Sequence, residues 1–255
     1  MALDKKESWP EIDELQLFFG EDCQINEKLV VKQPTVIDIV RYGERKYFGM
    51  VSTLCAVPSD MKSVLWDIGI DWNKFSDFEL FILLSHNYSQ EDTSIIFGDL
   101  DLTRLKAVNY QPNPEVDADL ALVDEENGVL LTRSDYAMIV TYLRKMHGMT
   151  VKREKAGNKF TRDILLEEDR KNIAMNKGKP YHSQLLPLVS SMMAYPGFSY
   201  TKEQLKQCGI YEFMDTVKRS QIFVSTTTLL TGLQVGMRDS KNIKSDDLNW
   251  LRDIK

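Results

Sequence analysis

The sequence predicts an α+β protein, predominantly α-helical, with short β-hairpins in its N-terminal and middle regions. Apolar residues recur every three or four positions over most of the chain, and only two stretches, near 22–33 and 120–131, place β-formers around turn residues. Ser, Thr or Asp stands before most periodic stretches, and glycine or proline closes several of them. With 255 residues, of which 43% are hydrophobic and 27% charged, the chain can form a core without help from metal or disulfide.

Leu29, Val30 and Val31, with Asn26 and Glu27 as a turn, predict the first hairpin, which Pro34 ends. Thr35 caps a helix carrying Val36, Ile39 and Val40, and after Gly43 the pattern continues through Tyr47, Phe48, Met50, Val51 and Leu54 to Pro58. Ser59 and Asp60 start a helix with Met61, Val64, Leu65 and Trp66, which Gly69 terminates. Ser76 and Asp77 open Phe78–Leu84, and Ser89 opens a short helix with Glu91 and Asp92 at its positive end. From Phe97 the spacing of Leu100, Leu102 and Leu105 predicts a strand and then a loop at Tyr110-Gln-Pro-Asn-Pro. Leu120–Val123 and Val129–Leu131 flank Asn127-Gly128, a hairpin pair in which both residues tolerate positive φ. Ser134 and Asp135 start a helix through Tyr136, Ile139, Val140, Leu143 and Met146 to Gly148. Beyond it the expected helices are Thr161 to Met175, Ser183 to Ala194, Thr201 to Cys208, a long one from Tyr211 toward Leu233 and a last one from Ser245. Three β-branched residues, Thr226 to Thr228, predict a bend in the long helix.

Charge divides the chain more sharply than its net of -6 suggests. Residues 1–143 hold 12 Lys+Arg and 26 Asp+Glu, a net of -14, whereas residues 144–255 hold 20 and 12, a net of +8. The expected organisation is an acidic α+β region at 1–148, a basic loop or linker at 149–162 and a helical region at 163–255. Opposed halves attract each other within one molecule or between copies.

Several function classes lack their signatures. Neither GxxxxGK[ST] nor GxGxxG occurs, and the glycines of Lys155-Ala-Gly-Asn-Lys159 and Asn176-Lys-Gly-Lys-Pro180 stand alone in basic turns. His86, His147 and His182 are isolated, there is no HExxH or CxxC, and Asp99 and Asp101 read as solvated residues alternating with inward leucines. There is no G-x-S-x-G elbow, and Glu167-Glu168-Asp169 reads as a solvated helix face. The expectation is therefore no enzyme, no cofactor, no metal and no catalytic residue. Cys23, Cys55 and Cys208, an odd and sparse set, predict a reducing compartment and hence the cytoplasm. No secretory signal or membrane span is expected, the longest apolar run being Leu80 to Leu84.

Two features point to contact with other macromolecules. Arg144, Lys145, Lys152, Arg153, Lys155, Lys159 and Arg162 form a basic stretch suited to an acidic protein surface or, with only Phe160 interleaved, to nucleic acid. Met192 and Met193 lie in a helix that is apolar nearly all round, which is either central or a partner face.

The run Leu185-Leu-Pro-Leu188, Tyr195-Pro-Gly-Phe198, Tyr211-Glu-Phe-Met-Asp215 and Leu248-Asn-Trp-Leu251, with Gln33-Pro-Thr35, Tyr47-Phe48 and Pro58-Ser-Asp-Met-Lys62, resembles phage morphogenesis proteins of long-tailed bacterial viruses, encoded among virion and tail genes. These motifs are structural and carry no active-site residues. The resemblance implies a tail assembly chaperone or a virion structural or connector component, found in the host cell cytoplasm during assembly or in the virion. Its partners would be other phage structural proteins or a second copy of itself. An alternative of another class is a nucleic-acid-binding module using residues 144–162, and a third is an enzyme with a carboxylate site.

Overall fold

The computed structural model describes residues 10–237 and 243–254. Helices dominate, and the two antiparallel sheets are small. Asp13 caps α1 (Glu14–Phe18), and Cys23–Gln24 (β1) pairs with Val30–Val31 (β2) as the first hairpin. Thr35 and Asp38 cap α2 (Val36–Tyr42) reciprocally, and Gly43, at φ +103, turns the chain into α3 (Glu44–Leu54). Pro58–Met61 is a 3-10 turn, so α4 (Lys62–Asp67) starts later than Ser59. Asp60 serves that turn instead, its carboxylate accepting the Val57 N–H.

Ser76 with Glu79 caps α5 (Asp77–Ser85), and Ser89 with Asp92 caps α6 (Gln90–Phe97). The strand expected from Phe97 begins only at Lys106. Gly98, at φ +63, ends α6, and Asp101 folds Leu102–Arg104 into a 3-10 turn by accepting from the amide and hydroxyl of Thr103. Asp99 and Asp101 therefore share no strand face. Lys106–Tyr110 (β3), Asp119–Asp124 (β4) and Val129–Leu131 (β5) form a meander in the order β3-β4-β5. Of the Asn127-Gly128 pair only Gly128 takes positive φ, because the Asp124 carboxylate holds the turn through Glu126 N, Asn127 N and the Asn127 amide.

Thr132 with Asp135 caps α7 (Arg133–Met146), and Asn158 caps α8 (Lys159–Asn176). The remaining helices are α9 (Leu185–Ala194), α10 (Lys202–Gln207) and α11 (Ile210–Gln234), and Ser245–Leu248 forms a 3-10 turn. α11 continues unbroken through Thr226–Thr228. Thr226 is buried, donating its hydroxyl to the Asp247 carbonyl, while Thr227 and Thr231 return theirs to carbonyls one turn back, bonds that a continuous helix accommodates.

One main core joins both ends of the chain. Leu17, Val31, Ile39, Tyr47 and Leu54 pack with Ile139, Leu143, Leu185, Leu205, Ile210 and Phe213. Backbone links reinforce it: Val36 donates to the Cys208 carbonyl at 3.0 Å and Ile210 to that of Pro34 at 3.1 Å. A Cβ at Gly209 would lie 2.5 Å from Gln33 Oε1, so a larger residue at this crossing would displace that side chain. Glu44, at the start of α3, accepts from Ser183 Oγ at 2.6 Å and from the N–H groups of Gln184 and Leu185 at 2.5 and 2.8 Å, and so caps α9 from across the fold. A satellite cluster of Leu65, Trp72, Leu80 and Leu166 seats α8 on α4. Asp169 there accepts from Ser63 N and Oγ at 2.9 and 2.6 Å.

His147 ends α7 with its ring against Tyr47 and Phe48. Its Nδ1 lies 2.7 Å from the Leu143 carbonyl and must carry the proton, leaving Nε2 to accept from the Tyr47 hydroxyl at 2.7 Å. Burial pushes the imidazole down to about 4. The stability this ring contributes is full above pH 6.5 and falls between about 6.5 and 4, where the unfolded chain takes a proton that the folded one refuses. The expected loss across that window is about 2 kcal/mol, discounted because the residue is partly exposed. Urea unfolding of the chain and of His147→Gln checks this: the variant should lose most of the slope, and equal slopes would refute the assignment.

Candidate functional site

The basic segment of 144–162 does not form one surface. The last turn of α7 sends Arg144 inward, where Nη2 donates to the Cys55 carbonyl at 2.8 Å and lies 4.0 Å from Asp77. Lys145 pairs with Glu14 at 2.6 Å. Beyond Gly148 the chain runs extended and is fastened to the turn before α4 and to the α4–α5 connection. Ser59 Oγ donates to the Lys152 carbonyl, Trp72 Nε1 to that of Glu154, and Ala156 N to Asn73. Lys152 and Lys62 both bind Glu154, at 2.7 and 2.9 Å, and hold its carboxyl down at about 2. Arg153 binds Asp77 at 2.6 Å, and the Arg162 guanidinium stacks 4.4 Å from the Trp66 ring centroid. Lys155 and Lys159 remain exposed, without an ion pair among the described residues. Most of the positive charge is thus spent within the fold.

These contacts close one side of an open cleft of about 1540 Å³. Its walls come from the starts of α5 and α7, the β3–β4 loop and residues 153–155, with Trp72, Phe75, Phe78 and Tyr110 among the aromatic lining. Arg133 grips Asp119 through two bonds of 2.6 and 2.9 Å and stands over the Phe78 ring. Asp77 lies inside with Arg153, and Tyr136, packed on Phe78 and Phe81, has a buried hydroxyl with no hydrogen-bond partner among the described residues. Burial and the neighbouring Asp77 push that phenol up. No His or Cys lines the cleft, so it holds no nucleophile paired with an imidazole base. Among the described residues no group of three His, Cys, Asp or Glu is arranged to hold a metal ion. Within the cleft Asp77 pairs with Arg153 and Asp119 with Arg133.

Met192 and Met193 part company. Met192 is 5% exposed and belongs to the main core, the central one of the two expected alternatives, so it is not open to a partner; Met193 is 43% exposed on the outer face with Leu186.

Two of the longer helices carry exposed apolar residues along part of their length. On α8, Leu166 packs inward, whereas Phe160, Ile164, Ile173 and Met175 are exposed, and every residue from Arg170 to His182 is exposed. On α11, Ile210, Phe213 and Val217 are buried, but Phe223 and Val224 are exposed, as are Val235 and Met237 just beyond its end. Burial thus changes along a single helix, which apolar spacing alone does not reveal. A detectable signal was there: no Asp, Glu, Lys or Arg occurs from Ser220 to Met237.

No protein-family model, no curated protein and no solved structure matches this chain. Among the described residues no helix is long and apolar enough to cross a membrane.

Proposed function

We propose that this chain is an assembly protein of a long-tailed bacterial virus, acting through protein–protein contacts in tail morphogenesis in the manner of a tail assembly chaperone. The observation that carries the contact role is the set of exposed apolar residues on α8, Phe160, Ile164, Ile173 and Met175, and on the later part of α11, Phe223 and Val224, continued by Val235 and Met237 just beyond it. Exposed apolar groups gathered in this way are the feature that protein partners cover. The tail role comes from the sequence resemblance, and residence in the virion as a structural or connector component is the second version of it. The nucleic-acid reading draws little support from the basic segment, since Lys145, Lys152 and Arg153 are all committed to carboxylates.

Deleting the gene from such a virus is expected to leave heads without tails, restored by a plasmid copy. Normal tailed particles from the deletion would refute the role. Mass spectrometry of purified particles then separates the versions: a chaperone is missing, and a component is present in fixed copy number. In the same preparations, affinity for DNA or RNA should be weak and insensitive to charge reversal at Lys152, Arg153, Lys155 and Lys159; a steep salt-dependent affinity lost on reversal would favour the nucleic-acid reading instead.

A further inference from the structure

We propose that α8 is a cover over a helix-binding groove on α4, and that an amphipathic helix of another protein takes the groove when α8 lifts. α8 has 18 residues and one buried side chain, Leu166. It touches its surroundings along a narrow stripe of Thr161, Arg162, Leu165, Leu166 and Asp169, and every residue from Arg170 to its end at Asn176 is exposed. By contrast α7, with 14 residues, buries seven side chains.

The seated helix defines what the groove accepts. Leu166 packs with Leu65, Trp72 and Leu80. One turn before it, Arg162 stacks 4.4 Å from the Trp66 ring centroid; one turn after it, Asp169 accepts from Ser63 N and Oγ at 2.9 and 2.6 Å, at the start of α4 where helix amides lack partners of their own. A ligand for this face is therefore a helix that carries a cation, a leucine and a carboxylate on successive turns, which is the helix-in-groove mode of recognition.

The cover is held weakly. Besides the single buried leucine, its Arg170–Asp67 ion pair joins side chains 52% and 58% exposed, where such pairs add little. An element with so few buried contacts opens without the rest of the fold. Residues 157–160 and 177–182 on either side of it are exposed throughout, and Gly178 takes φ +78. Beyond these flanks the chain is fixed, by Asn73 accepting from Ala156 N and by Glu44 accepting from Leu185 N. Tethered at both ends, α8 lifts without reaching a second copy and returns at high effective concentration, whereas a helix of a different chain meets no such restraint. The inference deepens the reading of α8 as a contact element and does not rest on a role in a virus. A deletion virus with normal tails would leave the opening measurable, and a cover that never lifts would leave the tail role standing.

The probe is a fluorescein-labelled peptide of residues 157–177, added to the full chain and followed by fluorescence anisotropy. The double variant Leu166→Ala with Asp169→Ala loosens the cover and leaves every residue of α4 unchanged, so it should bind the peptide at least ~tenfold more tightly than the unsubstituted chain does. A peptide carrying the same two alanines should bind neither protein. Equal affinity of the two proteins for the unsubstituted peptide would overturn the proposal. Hydrogen exchange on the unsubstituted chain decides the matter if the double variant fails to fold: amides of α8 should exchange at least ~tenfold faster than those of Ile139 to Leu143 in α7, and equal rates would overturn the proposal. A concentration-dependent dimer of the unsubstituted chain that the double variant loses would put a second copy's α8 in the groove and overturn the choice of partner.

Discussion

Phe213→Ala is expected to destabilise the whole chain by about 3–5 kcal/mol, with the N-terminal region and the C-terminal helices unfolding together. Phe213 is fully buried on α11 and shares its core with Leu17, Val31, Ile39 and Tyr47 from the first fifth of the sequence. Removing the ring empties a space that neighbours from both ends line, and a close-packed interior refills such a space only in part. Hydrogen exchange followed by mass spectrometry reads the outcome by segment. Loss of protection in α2 and α3 equal to that in α11 is the expected result. Loss confined to residues beyond 163 would mean that the helical part folds by itself.

Arg144→Met is expected to cost about 2–4 kcal/mol although it removes a residue from a strongly basic stretch. The guanidinium lies in the interior between the Cys55 carbonyl and Asp77, where its Nη2 donates to that carbonyl at 2.8 Å. Methionine fills the stem and leaves that carbonyl unpaired, while Asp77 keeps Arg153 at 2.6 Å. Arg144→Lys should recover less than half of the loss, since an ammonium cannot place donors at both positions of the planar fork. Denaturant unfolding measures both variants. Arg144→Met within about 0.5 kcal/mol of the unsubstituted chain would show that the side chain belongs to the surface.

Local chemistry wrote most of the secondary structure legibly. Thr35, Ser76 and Ser89 mark helix starts because each hydroxyl accepts from an amide three residues on, and the Asp or Glu at that position returns the bond. Legibility failed where a residue's partner was set by its immediate turn rather than by periodicity. Asp101 turned an apparent strand into a 3-10 turn, and Asp124 reshaped the Asn127-Gly128 hairpin. At Thr226–Thr228 three β-branched residues disfavour helix, yet α11 continues through all of them, with the Thr226 hydroxyl bonded to the Asp247 carbonyl.

The contact residues were less legible than the helices that carry them. Arg144 and Lys145 are neighbours in sequence, yet one is interior and the other pairs with Glu14 on the surface, because successive helical positions point about 100° apart. Met192 and Met193 separate for the same reason.

The sequence by itself determined the fold class, the helix starts, the opposed charge of the two halves and the uncharged run from Ser220 to Met237. Only the tertiary structure decided which charges are consumed internally, that one core takes side chains from both ends of the chain, and that the core stops partway along α11. Periodicity records which residues share a face, but burial depends on what stands opposite that face. For Val217 the neighbour is the core, and for Val224, two turns further along the same stripe, it is solvent.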